Sequence, residues 1–423
     1  MNISSPTIAI VGSGPSGCYA ANFLRKALPS AEISVIEALP VPYGLLRYGV
    51  AADHQGVKGI AQQFDRLFER EAVNFIGNVR VGFDISFEKI AENFDVVVLA
   101  MGLSEDAVLD VPVAQGAKVL GAGALLRKLN GFPKPYQCDD RAAQMLGPLG
   151  ERVAIVGTGN VAIDVARLLS KTSDQFIGSD IDDDALAELT SVPIRSISLV
   201  GRSSASLAKF DISMLRELCA LPSIRVSKLE LGAHESCERV AILQAAQAAA
   251  RARGHRSTLS GDLPTELEFL FHRRLNGIAQ REGRAVVEMT NATDGTPCEI
   301  EADTVITAIG FNNGRLGANL GEVDVPNTVH VYRVGWFRRG SIGAIAENRK
   351  DSRFVVDVIL EDLSQGRISL GKPGLKSIEQ SLPAQVSKFD CWRRIDEYER
   401  LSAPEGRCRK KITDVQQMLS LIR

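Results

Sequence analysis

The stretch Ile8-Ala9-Ile10-Val11-Gly12-Ser13-Gly14-Pro15-Ser16-Gly17 constrains the rest of the chain more than any other. Four β-favouring apolar residues run straight into Gly-x-Gly-x-x-Gly, and a helical pattern from Cys18 to Leu28 follows at once. That order of strand, tight turn and helix is the context in which the glycine pattern signals a dinucleotide site. Gly12 lets the chain turn sharply, Gly14 leaves bare backbone for a pyrophosphate, and Gly17 lets the helix pack close to the sheet. The phosphates then meet the unpaired N–H groups and positive dipole end of the helix. An acid about 20 residues further on is the expected partner for ribose hydroxyls. Glu37, at the end of the apolar run Ile33-Ser34-Val35-Ile36, supplies it.

The pattern returns. Arg152 to Val156 is a second apolar strand, and Gly157-Thr158-Gly159-Asn160-Val161-Ala162 is Gly-x-Gly-x-x-Ala, followed by another helix. The next strand, Ser196 to Val200, ends in Gly201-Arg202. Two further buried strands, Phe94 to Gly102 and Asp303 to Gly310, each end in glycine and close one unit apiece. The expected fold is α/β, with two Rossmann-like dinucleotide-binding domains. Residues 1–104 and 335–423 would form a discontinuous first domain, because its sheet otherwise lacks an end, and residues 105–334 the second. Two dinucleotides on one chain imply electron passage between them, the hard chemistry being the cofactors' own. Glu37 would repel a 2′-phosphate, which assigns FAD to the first site. Arg202 suits the 2′-phosphate of NADP in the second. Hydride would then move from nicotinamide C4 to flavin N5.

Between these landmarks, Val57 to Glu71 reads as one amphipathic helix, and Val73–Ile76 and Val79–Val81 as short strands. Gly343 to Leu363 reads as helix, and the Ala-rich run holding Arg251, Arg253 and Arg256 as either helix or loop. A hydrophobic content of 45% suits a sizeable core, and a net charge of −2 argues against a nucleic-acid partner. The seven cysteines form no Cys-x-x-Cys pair, which disfavours a bound metal, a cluster or a redox dithiol and fits a reducing compartment. Met1 to Pro6 shows no basic leader region, and no apolar run approaches the roughly 20 residues of a membrane span. A cytoplasmic location is expected.

Several motifs together resemble the adrenodoxin reductase-like ferredoxin–NADP⁺ reductases. They are the first glycine loop, Pro42-Tyr-Gly-Leu-Leu-Arg-Tyr-Gly-Val50, Asp53-His54, Val156 to Asp164, and Gly335-Trp-Phe-Arg-Arg-Gly-Ser-Ile-Gly-Ala-Ile345. Trp392, Ile395-Asp396, Gly406-Arg407 and Met418-Leu419 match the family's closing segment. The resemblance implies FAD contacts at Gly12, Gly14, Ser16, Gly17, Glu37, Leu45 and Val81, with Trp336, Gly343, Ala344 and Ile345 covering the flavin. It implies a nucleotide loop at Thr158, Gly159, Asn160 and Val161, with Arg202 on the 2′-phosphate. Asp53 and His54 match a pair near the flavin's redox edge, His54 as a positioning or proton-relay residue.

Two positions depart from the family pattern. Ser203 stands where a second phosphate-binding arginine is usual, and Met214 where a glutamate faces the nicotinamide. Losing one charge-assisted contact costs roughly 1.5–3 kcal/mol, and a thioether for a carboxylate removes a polar anchor for the carboxamide; together they predict weakened discrimination of NADPH over NADH or a slow hydride step. The implied partner is an acidic iron–sulfur ferredoxin met by a basic face, with Arg216 and Arg338 as interface candidates beside Arg251, Arg253, Arg256, Arg273, Arg274 and Arg339. Two other readings remain at this stage. One is a diverged FAD oxidase or monooxygenase acting on a small molecule. The other is a non-enzymatic flavin-binding module with a decayed nicotinamide site.

Overall fold

The computed structural model describes residues 5–133, 147–232, 235–253, 263–314, 330–343 and 345–422. Cys138, Arg256 and Ala344 lie outside them, as does the Arg253 side chain. The chain forms two compact units. The first comprises Met1–Glu105, Asn130–Tyr136 and Phe311–Arg423, the second Asp106–Leu129 and Gln137–Gly310.

The first unit opens with β1 (Thr7–Val11), α1 (Pro15–Ala27), β2 (Glu32–Ile36), β3 (Val73–Ile76) and β4 (Val96–Leu99). The second contains β5 (Val119–Gly121), β6 (Arg152–Val156), α2 (Asn160–Ser170), β7 (Ser196–Val200), α3 (Ile212–Ala220), β8 (Ile224–Glu230) and α4 (Glu238–Arg253). It continues through β9 (Thr265–Leu270), β10 (Arg273–Arg281), β11 (Arg284–Asn291), β12 (Pro297–Ala302) and β13 (Thr304–Thr307). The chain then returns to the first unit with β14 (His330–Arg333), α5 (Ile345–Ser364) and α6 (Phe389–Leu401).

The first unit's sheet has the order β14-β4-β1-β2-β3, and every pairing in it is parallel. Its strands are near-continuous apolar runs because both faces are covered. Ile8, Ile10, Ile33, Val35, Val96 and Val98 face one core cluster, while Ala9, Val11, Ile36, Val97 and Leu99 face another. The strand order reverses at β1, so the crevice beyond its carboxyl end is where such a sheet takes a ligand. The return to this unit comes at Phe311, ahead of the expected residue 335. The returning segment includes β14, whose residues pair with β4 from His330↔Val96 to Arg333↔Leu99 and so extend the sheet.

The second unit's parallel sheet has the order β5-β13-β6-β7-β9-β8 and reverses in the same way beside β6. An antiparallel sheet, β10-β11-β12, adds Ile278, Val287 and Met289 to a core shared with Ala154, Val200 and Val305. The two α/β units are therefore Rossmann-like.

Two local expectations change, and one left open is resolved. The Val57–Glu71 helix is two pieces, Gln55–Lys58 and Ala61–Glu69, interrupted at Gly59, a residue that weakens helix interiors. Val79–Val81 is not a strand; Asn78 turns the chain at φ 61°, and only an isolated bridge from Val81 to Ile85 remains. The Ala-rich run is helix, α4, with Val240, Leu243 and Ala250 buried.

Candidate functional site in each unit

In the first unit the glycine loop leaves β1 with Gly12 at φ 105°, where a Cβ would lie 2.6 Å from the Ala100 carbonyl oxygen. The Gly12 amide donates to Ile36 O at 2.8 Å, fixing the turn to the end of β2. A Cβ on Gly17 would sit 2.0 Å from Gly12 O, which is how closely α1 packs under the loop. Gly14 differs from both, since a Cβ there would meet nothing within 4 Å. It also caps α1 without a side chain, ahead of Pro15 and a first turn free of acids. The helix N-terminus thus faces open space with its dipole uncompensated, as a pyrophosphate requires.

Glu37 follows β2 directly. Its Oε2 accepts from Ser13 N at 2.9 Å and Ser13 Oγ at 2.6 Å, and its Oε1 from Leu39 N at 3.1 Å. The acid is therefore held at the loop it was expected to serve. A roof segment lies above. Tyr43 N donates to Ser13 O at 3.2 Å, and a Cβ on Gly44 would be 3.2 Å from Gly14 Cα. Tyr43 takes φ 83°, rare for a bulky residue, and its hydroxyl is hydrogen-bonded to Asp65. Burial raises Asp65 above the usual carboxylate range, although the Tyr43 hydroxyl and Arg393 pull it down.

Leu45, half-buried, begins the helical turn Leu45–Tyr48, and Asp53 and His54, also half-buried, precede the turn Gln55–Lys58. Val81 is buried in the cluster that holds Val11, Ile36 and Phe337.

The 335–352 segment closes on the same helix end. A Cβ on Gly335 would lie 2.0 Å from Ser16 Oγ, and Ser352 Oγ donates to Ser16 O at 3.0 Å. Asp351, buried, accepts from Gly335 N at 2.5 Å. Trp336 stacks on Phe311 with centroids 5.5 Å apart, and its Nε1 donates to Gly343 O at 3.2 Å. Ile345 begins α5. Gly12, Gly14, Ser16, Gly17, Glu37 and the Gly335–Trp336 turn thus meet around one helix terminus, across more than 300 residues of sequence. Ser13, Tyr43, Asp65, Asp351 and Ser352 were not anticipated there.

The second unit repeats the loop. Gly157 has φ 132° and would place a Cβ 2.2 Å from Ala308 O, its amide donates to Val200 O at 2.9 Å, and Gly159 has nothing within 4 Å. Gly159 caps α2, again without a side-chain bond. Thr158 O accepts from Lys209 N at 2.9 Å. Asn160 and Asp211 exchange two bonds of 2.7 Å, tying the loop to the start of α3. Val161 is half-buried in the first turn of α2. Arg202 follows β7, exposed and in no ion pair among the described residues, and Ser203 and Met214 are half-buried.

Of the arginines expected on a basic face, Arg216 pairs with Glu238 at 2.5 Å and Arg273 pairs with Glu230. Arg338 and Arg339 both engage Asp351, so they also shape the Gly335 turn. Among the described residues, Cys18, Cys219, Cys237, Cys298 and Cys391 form no disulfide.

The residues fit two dinucleotides, and the comparisons agree. The model of the pyridine nucleotide-disulphide oxidoreductase family matches residues 6–327. The cindoxin reductase of Citrobacter braakii is 42% identical over 99% of this chain and 91% of its own. The mitochondrial NADPH:adrenodoxin oxidoreductase of Salvelinus fontinalis is 30% identical over 99% of this chain and 92% of its own. Mycobacterium tuberculosis FprA, solved in complex with NADPH, superposes with a TM-score of 0.82 at 27% identity, covering 99% of this chain and 100% of that one. The chain belongs to the pyridine nucleotide-disulphide oxidoreductase family, on its adrenodoxin reductase-like branch.

Proposed function

We propose that the protein is an FAD-dependent reductase that draws electrons from NADPH and hands them to a small ferredoxin-class carrier. The observation that carries this reading is the repeated loop: two uncapped helix ends, one beside an anchored acid, the other beside an exposed arginine.

The first unit, residues 1–104 with the segment from 335, holds FAD. Gly12, Gly14, Ser16 and Gly17 cradle its pyrophosphate, and Glu37 accepts from a ribose hydroxyl. Leu45, Val81, Trp336, Gly343, Ala344 and Ile345 enclose its rings. When bound, FAD accepts a hydride and releases electrons singly, the chemistry that links a nicotinamide to a one-electron carrier. The second unit, within residues 105–334, holds NADPH, with Thr158, Gly159, Asn160 and Val161 on the pyrophosphate and Arg202 on the 2′-phosphate. Asp53 and His54 lie at the flavin's redox edge, with His54 as a positioning or proton-relay residue; hydride transfer itself needs no acid–base catalyst. With Ser203 and Met214 in place of the family's polar anchors, NADH competes better than in relatives that keep them.

Relatives named for ferredoxin, adrenodoxin and cindoxin support a carrier-protein partner, with Arg216 and Arg338 at the interface. The scattered cysteines, with no Cys-x-x-Cys pair, support a reducing compartment, the cytoplasm.

Anaerobic stopped-flow mixing tests the reading. NADPH bleaches the flavin absorbance, and cytochrome c is then reduced only when a ferredoxin is added. A flavin bleached by neither NADPH nor NADH would favour the non-enzymatic module. Oxygen consumption driven by a small molecule without a carrier would favour an oxidase.

A further inference from the structure

Beside Arg202 lies a side-chain clamp built from residues far apart in the sequence. β7 and β9 are parallel neighbours, with Val200 opposite Leu270, so the residues after each strand emerge side by side at the sheet's ligand edge. His272 N donates to Ser203 O at 3.1 Å and Arg273 N to Gly201 O at 2.8 Å, which fixes both flanks of Arg202. His272 itself sits at φ 56°, a left-handed conformation that non-glycine residues adopt at a cost and that clusters at functional sites.

Its ring Nε2 is 2.6 Å from Oε1 of Glu235, whose side chain is only 9% exposed. The same Oε1 accepts from Gly232 N at 2.7 Å, and Oε2 from Ser206 N at 3.3 Å and Ser206 Oγ at 3.4 Å. Burial pushes Glu235 up, but the bonds from His272, Gly232 and Ser206 outweigh it and hold the carboxyl below its usual range. One carboxylate thus holds the 203–206 loop at both ends, directly at Ser206 and through His272 at Ser203.

We propose that Glu235 and His272 are positioning residues for nucleotide selectivity, fixing the 202–206 loop for a 2′-phosphate. This rests on reading the second unit as the NADPH site. With serine at 203, Arg202 is the one arginine at the end of β7, and phosphate recognition depends on how well its loop is preorganised. Ser203 and Ser204 add hydroxyls that can donate to phosphate oxygens once the backbone is fixed.

The test is titration calorimetry of 2′,5′-ADP against 5′-AMP on the FAD-loaded protein. Glu235→Gln and His272→Asn each weaken 2′,5′-ADP by about tenfold and leave 5′-AMP within about twofold, the loss of one charged hydrogen bond's worth of placement. Asparagine is chosen because it tolerates the left-handed backbone but is too short to reach Glu235. Equal loss of both ligands would mean a purely structural role and overturn the proposal. Unchanged 2′,5′-ADP binding in these variants, with Arg202→Ala losing it, would overturn the proposal while leaving the site reading intact. A wild-type protein that does not prefer 2′,5′-ADP at all would overturn both.

Discussion

The two glycine loops are built alike and finished differently. In each, the first glycine turns at positive φ under a strand-end carbonyl, its amide donates to the neighbouring strand at 2.8 or 2.9 Å, and the second glycine faces open space. The first loop is then enclosed within its own unit by three distant segments: Glu37 on Ser13, Tyr43–Gly44 over Gly14, and Gly335 on Ser16. The second is tied sideways, by Asn160 to Asp211 and Thr158 to Lys209, and leaves Arg202 exposed. A loop wrapped by its own chain suits a cofactor that stays. A loop open at its edge suits a nucleotide that must come and go.

The sharpest way to break that comparison is the third position of the motif. Gly17→Ala puts a Cβ 2.0 Å from Gly12 O, and neither partner can yield because both are backbone. The variant should lose about 3 kcal/mol or fail to retain FAD, read by urea unfolding and by flavin content. Ala162→Gly, at the matching place in the second unit, should cost about 1 kcal/mol, a helix-propensity effect. Equal costs would mean the two loops are not differently packed. Next in size is Arg202→Ala, which should lower kcat/KM for NADPH by about tenfold to a hundredfold and leave NADH within about twofold. A parallel fall for both nucleotides would detach Arg202 from the 2′-phosphate.

What could be read from sequence was whatever is local. Each loop, its strands and its Glu37 or Arg202 lie within one βα unit, so glycine spacing and apolar runs were enough to find them. The enclosure was harder. Gly335 and Trp336 were legible only through the family resemblance, and Asp351 and Ser352 not at all, because a polar residue on a helix looks solvent-facing until the fold buries it. The same holds for Glu235 and His272, brought together by the β8–β9 pairing across 37 residues. Backbone conformation was only partly visible: nothing in the tyrosine side chain announced the positive φ of Tyr43 that shaped the roof, whereas Asn78, a residue type that tolerates the left-handed region, was the signal that the expected 79–81 strand would end.

The middle glycines separate ligand from fold more cleanly than the first and third. Gly14→Ala and Gly159→Ala add a Cβ where nothing lies within 4 Å, so the thermal midpoint of the apoprotein should hold. Gly14→Ala should weaken FAD by about tenfold, and Gly159→Ala should do the same to NADPH while FAD content is unchanged. Loss of both ligands from either variant would contradict one site per unit.

The smallest effect concerns acid. Asp396 on α6 is buried, which pushes its carboxyl up, yet Arg409 at 2.6 Å and Arg400 at 2.8 Å outweigh burial and hold it low. A carboxylate whose folded value is depressed stabilises fully above its unfolded value, roughly pH 4, and that contribution fades as pH falls through the folded value. Both tryptophans, Trp336 and Trp392, lie in the first unit, so their fluorescence follows that unit alone. Urea midpoints by tryptophan fluorescence should therefore drop as pH falls below about 4, and Asp396→Asn should flatten that dependence by about 1 kcal/mol. A wild-type slope that survives the substitution would show that the acid sensitivity of the enclosing unit comes from elsewhere than the α6 ion pairs.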